Sequence, residues 1–139
     1  MFHINQKTHT TQDGTTIIVL APTGRLDIRT ALQFRVYLQE CILNLSRHVV
    51  VNLQGVEFID SSGLTSLVAG MRYADKVKGS FRLCHPLPEA KVVFESTMMD
   101  SVLEIYDDCL DCLETPNATP KIAASKGSGP LLPDAEGKE

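Results

Sequence analysis

The segment that most constrains the fold of this chain is an apolar run, Val49–Leu53, followed closely by Asp60-Ser61-Ser62-Gly63-Leu64. The run is rich in β-branched residues, which predicts a central strand covered on both faces. The apolar residues of Ser61–Lys78 recur at helical spacing. An acid and two hydroxyls therefore stand where a helix begins after a sheet strand, and open α/β sheets place their sites at such turns.

Strands and helices alternate on both sides of this unit. Asp13-Gly14 predicts an opening hairpin, and Gln54–Asp60 is predicted to be a loop. Strands separated by helices pair in parallel, so the order predicts an α/β fold with one antiparallel edge strand. The predicted strands are Phe2–His9, Thr15–Thr23, His48–Leu53, Phe81–Cys84 and Val102–Tyr106, and the predicted helices are Ala31–Leu45, Ser61–Lys78, 86–97 and Asp107–Glu114.

The first predicted helix, Ala31–Leu45, carries an apolar stripe that is expected to face the core. Asp27 or Thr30 is expected to cap the N-terminus of this helix. The stripe consists of Leu32, Val36, Leu38, Ile42, Leu43 and Leu45.

Composition excludes several classes of function. The chain of 139 residues has a formal net charge of −4 and no block of basic residues, which argues against nucleic acid as its main partner. Its longest apolar run is only a few residues, too short to span a membrane. The polar N-terminus has no apolar signal segment, so we expect a cytoplasmic protein.

The end of the chain differs in composition from the rest. Thr115–Glu139 holds four of the seven prolines and three of the nine glycines. We therefore expect one domain over residues 1–114 and a disordered tail over residues 115–139. The cysteines at 41, 84, 109 and 112 are expected to be reduced, packed thiols rather than a disulfide framework.

The start of the helix at Ser61 has both a structural and a functional interpretation. Asp60 or Ser61 can accept hydrogen bonds from the unpaired N–H groups there, which stabilises the helix by about 1 kcal/mol. One cap would suffice, however, and a second hydroxyl follows. Gly63 in the first turn lowers helix stability by about 0.5–1 kcal/mol, which suggests that space is needed there.

The segment Val49–Leu53 with Phe58–Leu64 resembles the signature of STAS domains, specifically of bacterial anti-sigma factor antagonists. Gly24–Asp27 and Val93–Thr97 resemble two further segments of that family. The resemblance covers roughly residues 1 to 113. It implies a STAS-like fold, a mixed sheet of four to five strands with helices mainly on one face.

The resemblance also implies a phosphorylation switch without intrinsic catalysis. Ser61 matches the serine that a GHKL-type anti-sigma factor and serine kinase phosphorylates, and a PP2C-type phosphatase reverses the mark. The unphosphorylated antagonist binds this partner and frees a sigma factor. Asp27 matches the family's acid near the phosphosite, and Asp60, Ser62, Gly63 and Arg25 complete the expected surroundings, with Ser62 chiefly a cap and Gly63 leaving room for the kinase.

Two residues depart from the family pattern. Arg25 stands where the family usually has Glu, and alternation along an extended segment places it on the same side as Asp27. It is expected to pair with Asp27, to attract a phosphoserine or to face solvent. Met98 replaces a frequent turn glycine, which suggests altered local geometry.

Other functions have weaker support in the sequence. Cys109 and Cys112 form a CxxC pair, but zinc needs about four ligands and no second pair exists. The chain has no GxxxxGK[ST] or GxGxxG motif, and Ser61 lacks the glycine of a nucleophile elbow. We therefore expect no enzyme activity, metal or cofactor. A non-switching STAS scaffold and a nucleotide-binding STAS module remain as alternatives.

Overall fold

The computed structural model describes residues 2–107, which contain six strands and three α-helices. Most of the predicted helix Asp107–Glu114 and all of the predicted tail, with Cys109 and Cys112, lie outside the described residues. A 3₁₀ turn, Met99–Ser101, precedes the last strand. The strands are β1 (His3–Thr10), β2 (Thr16–Leu26), β3 (His48–Asn52), β4 (Val56–Ile59), β5 (Ser80–Cys84) and β6 (Glu104–Tyr106), and the helices are α1 (Ala31–Asn44), α2 (Ser61–Lys76) and α3 (Pro88–Ser96).

The strands of residues 2–107 form one mixed sheet in the order β1-β2-β3-β5-β6, with β4 beside β2. Strands β1 and β2 are antiparallel, and Gly14 adopts a φ of 90° in the turn between them. The pairs β2–β3, β2–β4, β3–β5 and β5–β6 are parallel. The predicted α/β fold and the opening hairpin are confirmed.

Strand β4 corrects the sequence prediction of a loop over Gln54–Asp60. Val56–Ile59 pairs in parallel with the end of β2, past a register shift at Gly24/Arg25. Only Val56 and Ile59 of the four residues are buried. Such a short segment has no clear alternation, so only its tertiary pairing identifies it as a strand.

The large buried apolar residues of the three helices belong to one core cluster on one face of the sheet. This arrangement confirms the expectation of helices on one face. None of these helices, the only α-helices of residues 2–107, is long and apolar enough to cross a membrane. The cluster includes Phe34, Leu38, Leu64, Leu67, Ala90 and Phe94 from the helices and Ile18, Val49, Val51, Leu83 and Ile105 from the strands.

The predicted apolar stripe of α1 is largely wrong. Leu32, Val36, Leu43 and Leu45 are exposed, and Leu32 keeps 70% of its accessible surface. The inward face follows the helical period more closely, since its members lie three or four residues apart. The buried residues of α1 are Ala31, Phe34, Leu38, Cys41 and Ile42.

The two cysteines within residues 2–107 differ in state. Cys41 is a free, buried thiol, as expected. Cys84 is disulfide-bonded, so the expectation of a reduced thiol is wrong for this residue. Cys84 lies in a strand and is fully buried, which the apolar pattern predicts for a thiol and a disulfide alike.

The backbone at Met98 adopts a conformation that is uncommon for a residue with a side chain. Its φ of 61° and ψ of 20° lie in the left-handed region, which glycine adopts without strain. The expectation that Met98 alters the local geometry relative to the family stays a prediction.

His48 is expected to make the stability of the fold depend on pH. Burial lowers its pKa below 6.5, and Arg47 and Arg82 lower it further, against an opposing effect of Asp13. The unfolded chain therefore binds this proton more tightly than the folded chain does. The His48 contribution is full above pH 6.5 and is lost as the pH falls below that value.

Urea unfolding at a series of pH values between about 5.5 and 7.5 would measure this dependence. Replacing His48 by glutamine should flatten the curve in this window. An equally steep curve for His48→Gln would assign the dependence to other groups.

Candidate functional site

The N-termini of α1 and α2 lie side by side at one edge of the sheet. This follows from the parallel pairing of β2 with β4, in which Leu26 is opposite Ile59. Asp60 N donates to Leu26 O at 3.3 Å, and Ile28 N donates to Asp60 Oδ2 at 3.2 Å. Asp60 thus ties the start of α2 to the turn before α1.

Asp60 is the N-cap of α2. Its Oδ1 accepts a hydrogen bond from Gly63 N at 3.0 Å, and its backbone is extended, as a capping residue requires. The interpretation of Ser62 as the cap is wrong, because the carboxylate of Asp60 already fills that role. Ser62 is half-buried and lines a cavity instead.

Ser61 is the first residue of α2, and its side chain is exposed. Its carbonyl oxygen accepts a hydrogen bond from Thr65 Oγ1 at 2.9 Å. Within residues 2–107, no hydrogen bond engages the hydroxyl of Ser61. The hydroxyl is therefore open to another molecule at the positive end of the helix dipole.

Gly63 is buried against the end of β2. A Cβ at this position would lie 2.3 Å from Leu26 O and 3.0 Å from Leu26 Cγ. The missing side chain therefore accommodates this chain's own backbone. The expectation that Gly63 leaves room for an approaching kinase is wrong.

Asp27 is 7% exposed and is surrounded by two arginines. Its Oδ1 accepts a hydrogen bond from Arg29 N at 3.0 Å, and its Oδ2 lies 3.6 Å from Arg25 Nε and 3.8 Å from Arg29 Nη2. The guanidinium of Arg25 also lies 4.1 Å from the centre of the Phe58 ring, a cation–π distance. Of the three expectations for Arg25, the structure agrees with pairing to Asp27.

Arg29 was missed in the sequence, although its position two residues after Asp27 was a usable signal. Thr30 is the N-cap residue of α1, but its side chain makes no capping bond. Its hydroxyl donates to Arg25 O at 2.8 Å and accepts from Asp27 N at 3.0 Å. The turn is thereby held in one conformation.

An apolar surface adjoins the two helix N-termini. Ile28 and Leu32 are 75% and 70% exposed, and sequence reasoning had assigned Leu32 to the core. They border an open cavity of about 260 Å³ between α1 and α2, which Ser62 also lines. Residues 2–107 hold no cluster of three His, Cys, Asp or Glu side chains that could bind a metal.

Comparison with known proteins agrees with this architecture. The STAS domain family matches residues 7–111. An anti-sigma F factor antagonist of Lysinibacillus sphaericus is 30% identical over 93 residues, which cover 63% of this chain and 80% of that protein.

Solved structures match as well. The crystal structure of a Thermotoga maritima protein is 25% identical, covers 77% of this chain and 90% of its own, and superimposes with a TM-score of 0.67. The Bacillus cell fate determinant SpoIIAA in its phosphorylated form is 22% identical, with a TM-score of 0.57 and coverage of 80% and 96%. The fold and the matched segment agree: this chain belongs to the STAS domain family.

Proposed function

We propose that this chain is an anti-sigma factor antagonist that acts by partner switching in the cytoplasm. Unmodified, it binds an anti-sigma factor that is also a GHKL-type serine kinase. Phosphorylation of Ser61 releases the partner, and a PP2C-type phosphatase restores binding. The observation that carries this proposal is the exposed Ser61 hydroxyl, without a hydrogen bond to residues 2–107, at the N-terminus of α2.

The position of Ser61 supports phosphorylation without unfolding. A phosphate brings about −1.5 to −2 charges at pH 7, and a helix N-terminus stabilises an anion. Both carboxylate oxygens of Asp60 accept hydrogen bonds from backbone N–H groups, so the cap does not depend on the Ser61 hydroxyl. The modification would therefore change the surface and leave the helix start intact.

The charged side chains around Ser61 would make its phosphorylation alter the surface that a partner contacts. Asp27 and Asp60 flank the turn, and Asp27 already contacts Arg25 and Arg29. Both arginines keep exposed side chains, at 51% and 80% of their surface. The dianion at Ser61 would repel the two acids and compete with Asp27 for the guanidinium groups.

The apolar residues beside the turn form a suitable docking surface, made up of Ile28, Leu32 and the cavity between α1 and α2. A partner that buries this surface would cover the start of α2, since Ser62 lines the same cavity. A phosphate on the neighbouring Ser61 would then be buried next to apolar groups, where an unpaired charge is strongly unfavourable.

A nucleotide is a poorer occupant of this site. The cavity of about 260 Å³ is smaller than the roughly 300–1,000 Å³ of typical small-molecule pockets. Three of its seven lining side chains, those of Ile28, Ala31 and Leu32, are apolar. The exposed apolar side chains fit a protein partner better.

Ser61→Ala is expected to abolish phosphate incorporation by the cognate serine kinase, while Ser62→Ala keeps it. Tandem mass spectrometry of the tryptic peptide 48–72 would locate the phosphate.

Ser61→Asp is expected to weaken binding to the kinase on the order of 100-fold, because like charges or a buried charge at an interface are unfavourable by several kcal/mol. Titration calorimetry would measure this loss.

Two results would contradict the proposal. Phosphate on the Ser61→Ala protein would place the modification elsewhere. Equal affinity of wild-type and Ser61→Asp proteins would favour a STAS scaffold that does not switch.

A further inference from the structure

The side of α1 that faces away from the core carries three exposed apolar residues. Leu32, Val36 and Leu43 are 70%, 47% and 59% exposed. At about 100° per residue, their positions fall within about 40° of one another around the helix axis, on the side opposite the buried Phe34. Helix α1 is therefore apolar on two opposite sides, and only the inner side packs against a core within residues 2–107.

The exposed residues have the spacing of a coiled-coil seam. Together with the exposed Gln39, they follow one another at intervals of four, three and four residues. This alternation averages about 3.5 residues and allows two helices to pack side by side with interlocking side chains. The outer face of α1, made up of Leu32, Val36, Gln39 and Leu43, thus has the pattern that pairs with another helix.

Two opposite charges border the outer face of α1 and select its occupant. Arg35 and Glu40 are both exposed, lie on opposite sides of the seam, and form no ion pair within residues 2–107. Arg35 Nε donates to Tyr73 Oη at 3.0 Å, which keeps the guanidinium at the edge of α1.

These charges are complementary to those of an identical helix that runs in the same direction. In a parallel pair, a residue that borders the seam lies opposite the residue five positions later on the other helix. Arg35 would therefore lie opposite Glu40 of a second copy, and the two-fold axis would repeat this pair. In an antiparallel pair, like charges would face each other instead.

Gln39 adds a reason for one register. In a parallel pair in register, two Gln39 side chains meet across the axis, and each amide has both donors and an acceptor for the other. A shifted register would place the amide against Val36 or Leu43, where its hydrogen bonds would be lost. A polar residue at one seam position lowers the affinity but specifies the register.

We infer that a second copy of this chain binds the outer face of α1, so that two α1 helices pair in parallel as a weak homodimer. The seam extends over only about 17 Å of helix, from Leu32 to Leu43. Such an interface belongs to the small class of less than about 1,200 Å², and we expect a Kd on the order of 100 μM. At the low micromolar concentrations of unfolding experiments the chain is then monomeric.

The homodimer would compete with the anti-sigma factor. Leu32 belongs both to the outer face of α1 and to the proposed docking surface, so one chain cannot use it for both contacts at once. Self-association would then hold part of the antagonist in reserve when its concentration is high. This consequence rests on the proposed function, whereas the homodimer itself does not, and its tests need neither the partner nor Ser61.

Sedimentation equilibrium of the full chain between about 10 and 500 μM tests the homodimer. The average mass is expected to rise reversibly from that of the monomer towards that of a dimer. Val36→Ala is expected to raise the Kd roughly 5-fold, because the apolar contact is lost on both copies. Val92→Ala, at an exposed valine of α3, is the matched control and should leave the Kd unchanged.

Three results of this experiment would overturn the proposal. The mass could stay that of the monomer at all concentrations, or it could rise beyond that of a dimer. A Kd that responds to Val36→Ala no more than to Val92→Ala would place the interface elsewhere on the chain.

Charge exchange tests the parallel orientation. Arg35→Glu and Glu40→Arg are each expected to raise the Kd on the order of 10-fold, because like charges then face each other twice. An equimolar mixture of the two variants is expected to restore the wild-type Kd, since each position 35 then faces the opposite charge at position 40. Both side chains are exposed, and circular dichroism would verify that the variants fold. Single variants that associate as tightly as the wild type, or a mixture that does not recover, would refute the parallel pair.

Discussion

Leu38→Ala is expected to lower the free energy of unfolding by about 2–5 kcal/mol, whereas Leu32→Ala should change it by less than about 0.5 kcal/mol. The two leucines lie in the same helix, α1, and the substitutions are chemically identical. Leu38 is fully buried, however, while Leu32 is 70% exposed. Urea unfolding followed by circular dichroism would measure both effects.

The surroundings of Leu38 explain the large effect. Leu38 packs where α1, α2 and the sheet meet, and a Cβ on Gly70 would lie 2.8 Å from Leu38 Cδ1 and 2.7 Å from Phe81 Cε1. Three elements are thus in close contact, so the cavity left by Leu38→Ala cannot readily collapse. Equal losses of stability at the two positions would contradict this assignment of the faces of α1.

Leu32→Ala also separates stability from the proposed function. If Leu32 belongs to the docking surface, its truncation should weaken binding to the anti-sigma factor without loss of stability. Leu38→Ala should lower the stability but leave the affinity of the folded protein for the anti-sigma factor unchanged. Together the two variants distinguish the outer face of α1 from its inner face.

The faces of α1 show how far the sequence can predict this fold. The position of the helix was correct within one residue, because its length and flanking segments are clear. The inward face was right for Leu38 but wrong for Leu32 and Val36, because both sides of α1 carry apolar residues. Hydrophobicity alone therefore does not select Phe34 over Leu32 or Val36. A helix face that binds a partner protein can be as apolar as a face that packs against the core.

The candidate site shows the same limit at the level of single residues. The sequence placed Ser61 at the start of a helix after a strand, because Asp60, Ser61 and Gly63 form a local pattern. It did not predict β4 or the contact of Arg29 with Asp27. Strand β4 depends on the proximity of two segments far apart in sequence, which its parallel pairing with β2 creates, whereas the contact of Arg29 with Asp27 is local.

Gly63→Ala is expected to lower the free energy of unfolding by about 1–3 kcal/mol. In an unconstrained helix the same change would raise stability by roughly 0.5–1 kcal/mol, because alanine is the better helix former. The expected sign is reversed because the new Cβ would lie 2.3 Å from Leu26 O, a backbone atom that cannot rotate away. Ser62→Ala, at the preceding position of the same helical turn, is the control and should be close to neutral.

Gly63→Ala should also impair the proposed phosphorylation of Ser61 and the binding of the partner. To relieve the clash, α2 must move away from Leu26, which would lengthen the Asp60 N to Leu26 O bond of 3.3 Å and the Ile28 N to Asp60 Oδ2 bond of 3.2 Å. These two bonds hold the start of α2 beside the turn before α1. Phosphorylation of Ser61 and partner binding should therefore fall even at temperatures where the variant is folded. Normal stability in urea unfolding would show instead that α2 moves without strain, and that Gly63 is not required by the contact with β2.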